Sequence, residues 1–214
     1  RNEVARFIIS DLDKAIELMN NDPAGGKVRL TKNVALLLKA RVALFEATWE
    51  KYHAGTALVP NGTGWPGANK EYNSNYQFPS GSLDREIDWF LDQAMDASQQ
   101  VADAISLTTN NNIIRSSLSD EKNPYYDMFA CKDPSGYPEV LMYRAFSQDV
   151  NVGHSFNLQA YYGGNRGFTH QFEQSFLMQN GLPVYAEGSG YEGDDYIADT
   201  KINRDWRWRL FMKA

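Results

Sequence analysis

The sequence predicts a mostly α protein: helical hairpins with long irregular loops and minor short β-strands. Three observations lead there. From Thr31 to His53 apolar residues recur at Val34, Leu38, Val42, Phe45, Trp49 and Tyr52, close to the three-four spacing of one helix face, with no Gly or Pro before Gly55. Residues 2–20 and 82–107 repeat that spacing. The segments between and after them lose it and become rich in Gly, Asn and aromatic residues.

The first helix is expected over residues 2–20, where Val4, Phe7/Ile8, Leu12, Ala15/Ile16 and Met19 form a stripe and Asp11, Asp13, Lys14 and Glu17 take the wet side. Turn formers from Asn20 to Gly26 end it. Thr31 suits the N-cap of the second helix, because its hydroxyl can accept from a free first-turn amide. Alanines at 35, 40, 43 and 47 would let a neighbouring helix approach closely. Two amphipathic helices with a short joint should pack antiparallel, so region 1–53 reads as a hairpin. Leu12, Ile16, Leu38, Val42 and Phe45 are the expected shared core.

Region 54–81 reads as an inserted loop, with Gly62, Gly64, Pro66 and Gly67 crowded together. Trp65, Tyr72, Tyr76 and Phe78 argue for an ordered one. Asn61-Gly62-Thr63 matches a glycosylation sequon, a triplet common by chance. Ser82 to Leu107 reads as the third helix, through Ile87, Phe90/Leu91, Ala94, Ala97, Val101 and Ala104/Ile105. Asp84, Glu86 and Asp88 crowd its start; Asp84 and Asp88 share a face, yet the helix dipole already accounts for acidic residues there.

Region 108–214 is loop-rich. Pro124 to Phe129 reads as a helical turn, and residues 139–146 as a short strand. Residues 147–168 read as surface loop. Thr169 is expected to cap a short helix reaching about Met178, stopped by Asn180-Gly181-Leu182-Pro183, and residues 185–200 as acidic, Gly-rich loop. Asn203 to Leu210 follows. Residue 1 enters a helical pattern without a start Met, so the chain reads as a fragment or processed piece.

A net charge of −6 argues against a nucleic-acid partner, which needs clustered Lys and Arg. A single cysteine, Cys131, leaves neither an internal disulfide nor a Cys-based zinc site. No run of eighteen apolar residues is present. His53, His154 and His170 stand far apart, and no zinc-protease helix, nucleophile elbow or phosphate-binding Gly loop occurs. The expectation is a non-enzyme with no catalytic residue, no metal and no cofactor. Aromatic residues in loops remain, and they suit sugars: pyranose C–H faces stack on rings while Asn and Arg bond the hydroxyls. Trp65, Tyr72 and Tyr76 form one candidate group, and Tyr161, Tyr162, Asn165 and Arg166 another. The competing role for each ring is to anchor its loop to the core.

An ordered set of segments adds a resemblance. Asp11-Leu12-Asp13-Lys14-Ala15-Ile16-Glu17-Leu18 precedes Val28-Arg29-Leu30-Thr31-Lys32 and the run from Ala35 to Glu46; Pro138-Glu139-Val140-Leu141 follows, then Thr169 to Phe176 with Asn180-Gly181-Leu182-Pro183. Arg204-Asp205-Trp206-Arg207-Trp208 stands where Arg-Asp-Pro-Arg is usual. Together these resemble the SusD/RagB family, outer-membrane glycan-binding lipoproteins of Bacteroidetes nutrient uptake. The missing Pro is a departure at that turn. The resemblance implies that residues 1–214 are the central part of a single SusD-like domain with tetratricopeptide-like hairpins. It implies a SusC-like TonB-dependent transporter as partner, an oligosaccharide or other nutrient as ligand, a cell-surface location on the outer membrane, and an N-terminal lipid anchor outside this chain. It places no binding residue; the aromatic candidates are read from the residues themselves. The alternative is a tetratricopeptide-like scaffold for a peptide or protein, which a repeat near 34 residues would favour; none is visible.

Overall fold

The computed structural model describes residues 1–22, 24–115, 119–155, 162 and 167–212, and the chain divides into two compact units. The first comprises Arg1–Leu107 and Pro138–Arg144, the second Thr108–Tyr137 and Ala145–Ala214. Helix dominates the described residues, and no sheet forms among them.

In the first unit α1 (Asn2–Leu18), α2 (Lys32–Tyr52) and α3 (Leu83–Ala104) lie in sequence, with α2 packed on both others. The start of α1 meets the end of α2 through Asn2 and Glu50, while Asp13 pairs with Lys39 further along, so the two run antiparallel. Two caps form as the residue types require. The Thr31 hydroxyl accepts from the Val34 amide, and the Ser82 hydroxyl from the Arg85 amide, each at 3.3 Å. The acidic first turn of α3 holds Asp84 and Glu86.

The core differs from the expected one in its side chains. Its centre is Ala5, Ile9, Ala43, Ala47, Ile87, Phe90 and Ala94, with Leu36, Ala97 and Val101 continuing it. The alanines of α2 face inward and admit α3 closely. Leu12, Ile16 and Val42 are half-buried, whereas Leu38 and Phe45 are exposed, Phe45 by 59%. The reason is that α1 and α2 each carry apolar residues on more than one side, and the side buried is the one that joins alanines to Ile9 and Leu36. Val4, Ile8, Leu38, Val42 and Phe45 instead line an open groove of about 740 Å³ between these helices. Phe45 stacks on Trp49 at 6.2 Å and lies 5.2 Å from the Arg1 guanidinium. Phe45→Ala is therefore expected to cost about 1 kcal/mol or less, not the 3–5 kcal/mol or so of a buried ring. Chemical denaturation checks this, and a loss above about 3 kcal/mol would contradict it.

Residues 139–146 are a second correction. They run without helix or ladder, because no neighbouring strand is offered: Tyr143 N–H bonds Lys27 O at 3.0 Å, and Leu141 packs on the Leu36–Val101 cluster. The described β-structure is the isolated antiparallel bridges Ser147–Val152 and Met178–Arg204, in place of the expected short strands.

The second unit holds α4 (Pro124–Ala130), α5 (His170–Gln174) and α6 (Trp206–Phe211). Asn123 caps α4 with Pro124 in its first turn, Thr169 caps α5, and Asp205 caps α6. α5 stops at Gln174, short of Met178: Ser175 and Phe176 close 3₁₀-type bonds back to Phe172 and Glu173, and Met178 turns to bond Leu182 O. Trp206 is the first residue of α6, the position where Pro costs a helix nothing. With Trp there the turn is closed: Asp205 N–H bonds Leu177 O at 2.9 Å and the Asp205 carboxylate accepts from Arg207 N–H at 2.8 Å.

Candidate functional site

The second unit contains an aromatic cleft of about 870 Å³, within the range of small-molecule sites. One wall comes from α4, where Tyr125, Tyr126 and Phe129 follow at helical spacing. Phe211 of α6 closes it, parallel to Tyr126 at 5.8 Å and edge-on to Phe129 at 5.3 Å. The other wall is Phe168, Phe172 and Phe176, each four residues from the next. Their rings meet at 5.1 and 5.3 Å, and Phe176 rests on Trp208 at 5.2 Å. Phe129, Phe168, Phe172 and Phe211 remain 45–68% exposed. Large rings so open to water, converging from separate segments, form an exposed apolar patch of the kind that marks interaction sites.

Polar groups rim the cleft. Arg207 lines it and forks onto the Asp205 carboxylate, with Nη2 at 2.6 Å from Oδ2 and Nε at 3.0 Å from Oδ1. This hydrogen bonding holds the Asp205 carboxyl below its ordinary value and raises the Arg207 guanidinium further. Arg207 therefore stays a fixed cation at any ordinary pH.

A buried staple holds the second wall. Arg204 is 0% exposed and donates to the Glu173 carboxylate through Nη1. It also donates to Glu173 O at 2.7 Å, Phe176 O at 3.1 Å and Thr200 O at 3.2 Å. Trp208 Nε1 donates to the same Thr200 carbonyl at 3.1 Å. Tyr191 lies 5.1 Å from the guanidinium, and burial followed by the Glu173 charge raises its hydroxyl. Glu173 and Arg204 are 31 residues apart, so this pairing ties α5, which carries Phe172, to the segment leading into α6.

The described residues among those proposed from sequence fall elsewhere. In the 54–81 loop the Trp65 ring lies over Gly67, where an added Cβ would sit 2.1 Å from Trp65 Cζ2. Trp65 meets Tyr76 edge-on at 5.4 Å, and Tyr76 meets the buried Phe78 at 5.4 Å. The Tyr76 hydroxyl donates to Asn2 Oδ1 at 3.3 Å, and burial with neighbouring acidic residues pushes it up to about 12. Gly62 packs so tightly that a Cβ would lie 1.9 Å from Thr56 O. These contacts bring Trp65 and Tyr76 together and tie both to the loop's own frame. Tyr72 is 84% exposed on the same loop. Tyr162 is 73% exposed; Tyr161, Asn165 and Arg166 lie outside the described residues, as does much of the 155–168 loop proposed with them.

The cleft is not legible in the sequence. Its signal was the four-residue spacing of Tyr125/Phe129 and of Phe168/Phe172/Phe176, which reads as ordinary helix packing until the other wall is known. Among the described residues no group of His, Cys, Asp or Glu is placed to hold a metal ion. No helix there is long and apolar enough to cross a membrane.

No protein-family model, curated protein or solved structure matches this chain.

Proposed function

We propose that this chain is the central part of a non-catalytic nutrient-binding protein of the SusD/RagB kind. It captures an oligosaccharide at the cell surface and passes it to a SusC-like TonB-dependent transporter of the outer membrane. The ordered segment resemblance from Asp11 to Trp208 supports the family, and α1–α3 supply helices of the kind its tetratricopeptide-like hairpins need. The observation that carries the binding role is the exposed ring-lined cleft bounded by Tyr126, Phe172 and Phe211. Flat rings held rigid offer stacking faces at low entropic cost, while the Tyr125 and Tyr126 hydroxyls and Arg207 offer bonds to sugar hydroxyls.

Calorimetric titration against a panel of oligosaccharides tests it. Phe172→Ala or Tyr126→Ala is expected to weaken binding by about 1–3 kcal/mol, the loss typical of a central interface residue. Trp65→Ala and Tyr162→Ala measure the loop candidates beside them. Affinity is expected to change little with salt, since no net charge is neutralised. Retained affinity in all four folded variants would overturn the ring-platform reading, and hydrolysis of the bound glycan would overturn the non-catalytic one.

A second reading has one specific observation behind it. The open groove of Val4, Ile8, Leu38 and Phe45 is the surface a further helix would cover in a tetratricopeptide-like scaffold. Binding of a peptide or protein that Leu38→Asp abolishes, with no glycan bound by the parent, would favour it.

A further inference from the structure

Three helix ends and the 54–81 loop converge on one buried carboxamide. Asn2, 1% exposed, donates through Nδ2 to Glu50 Oε1 at 2.7 Å and to Glu86 Oε1 at 2.9 Å. Its Oδ1 accepts from the Tyr76 hydroxyl, one tie between loop and helices beside those of Arg6 Nη2 to Ser80 Oγ, Ser80 N–H to Glu86 and Trp49 Nε1 to Leu58 O. The two carboxyls are served unequally. Glu86 also accepts from Arg6 Nε at 2.6 Å, Arg6 Nη2 at 2.8 Å and Ser80 N–H at 3.0 Å. Glu50 has the shared amide on one oxygen, and its Oε2 is buried without a hydrogen-bond partner.

Charge around Glu50 reinforces the difference. From α1 come Asn2 and Arg6, the latter bound to Glu86; Arg1 pairs with Glu46 at 2.8 Å. From α2 comes Glu46, one turn earlier, and from α3 Glu86, both acidic. The loop brings Tyr76, and Glu3 adds to the negative field at its hydroxyl. Each nearby cation is thus engaged by another carboxylate, and burial cannot be offset at Glu50 by one amide bond. The Glu50 carboxyl is raised by burial to about 7. Burial pulls Glu86 upward too, but the bonds from Arg6, Asn2 and Ser80 prevail and hold it at about 2.

We propose that Glu50 is a proton-operated latch on the 54–81 loop. As a neutral acid it lets Asn2 join α1, α2, α3 and Tyr76. Once ionised it faces Glu86 across the shared amide, and the Asn2–Tyr76 tie gives way, loosening the loop that carries Trp65 and Tyr72. The device does not depend on which ligand the protein takes.

The direction follows from linkage. The closed state holds the Glu50 proton more tightly than an open, solvated one. Its contribution is full below the ordinary carboxyl value of 4.5, shrinks as pH rises, and is lost above about 7. Glu86 works oppositely, contributing above its ordinary value and losing that only as pH falls toward about 2. The latch is therefore closed in mild acid and released on the alkaline side of neutrality.

Hydrogen exchange of the Gly62, Thr63 and Tyr76 amides, corrected for intrinsic rates, reads the latch. Between about pH 5.5 and about pH 8.5 their protection is expected to fall roughly tenfold or more in the parent, since each pKa unit is worth a factor of ten. It is expected to stay level in Glu50→Gln, which keeps the shape without the charge. An infrared protonated-carboxyl band should be present in the parent near pH 6 and titrate away toward pH 8, roughly a unit either side of the raised value. Tyr76→Phe should loosen the loop at both pH values while leaving that band in place. Protection independent of pH in the parent, pH dependence retained in Glu50→Gln, or no titrating acid band in the parent would each overturn the latch. The infrared titration needs no variant, so a poorly folded Glu50→Gln leaves the test intact.

Discussion

Arg204→Met is expected to destabilise the second unit by about 3–5 kcal/mol, the cost of removing one partner from a buried ion pair. Methionine fills much of the space of the arginine stem but donates nothing. The change strands the Glu173 carboxylate, 8% exposed, with the Tyr191 hydroxyl at 3.5 Å and His170 at 4.0 Å as its remaining polar neighbours. It also strips a donor from the carbonyls of Glu173, Phe176 and Thr200. Denaturant unfolding followed by tryptophan fluorescence measures the loss, because Trp208 sits 6.0 Å from the guanidinium. The double variant Arg204→Met, Glu173→Met should recover part of it, since taking away both partners leaves no buried charge. A single-variant loss under about 1 kcal/mol would show that the staple does not hold this unit.

Phe90→Ala is expected to cost the first unit about 3–5 kcal/mol, the range for emptying a fully enclosed aromatic site. Phe90 is 0% exposed, edge-on to Trp89 at 4.9 Å, and surrounded by Ala5, Ile9, Ala43, Ala47 and Ala94. Alanine neighbours have no flexible side chain with which to fill the space, so the cavity persists. The fall in thermal midpoint should far exceed that of Phe45→Ala, although both lose the same ring. Equal falls would mean that the α2 face turned outward here is buried in solution.

That contrast shows which parts of the structure were legible in the sequence. Helix existence and ends could be read because their causes are local. The Thr31, Ser82 and Thr169 hydroxyls each close a bond to an amide three residues on, and periodicity over twenty residues needs no knowledge of a partner. Orientation was harder. α1 and α2 present apolar side chains on two faces, so hydrophobicity alone chose the bulkier stripe through Val4, Ile8, Leu38 and Phe45. The fold buried the alanines Ala5, Ala43 and Ala47, together with Ile9 and Leu36. Residues 139–146 are short, apolar and partly alternating like a strand, but a strand exists only with a neighbour to bond, and that neighbour is a property of the whole chain.

By itself the sequence determined a mostly helical chain, the positions of its principal helices and a net charge of −6. Those properties are sums over residues or bonds spanning a few positions. The aromatic cleft, the Arg204–Glu173 staple and the Asn2 junction were decided by tertiary structure alone. Their members lie far apart in the chain: 31 residues from Glu173 to Arg204, 48 from Asn2 to Glu50, and 84 from Asn2 to Glu86. Burial, and with it the difference between Glu50 and Glu86, depends on which distant side chains exclude water and which supply a donor, and no local pattern of residues encodes either.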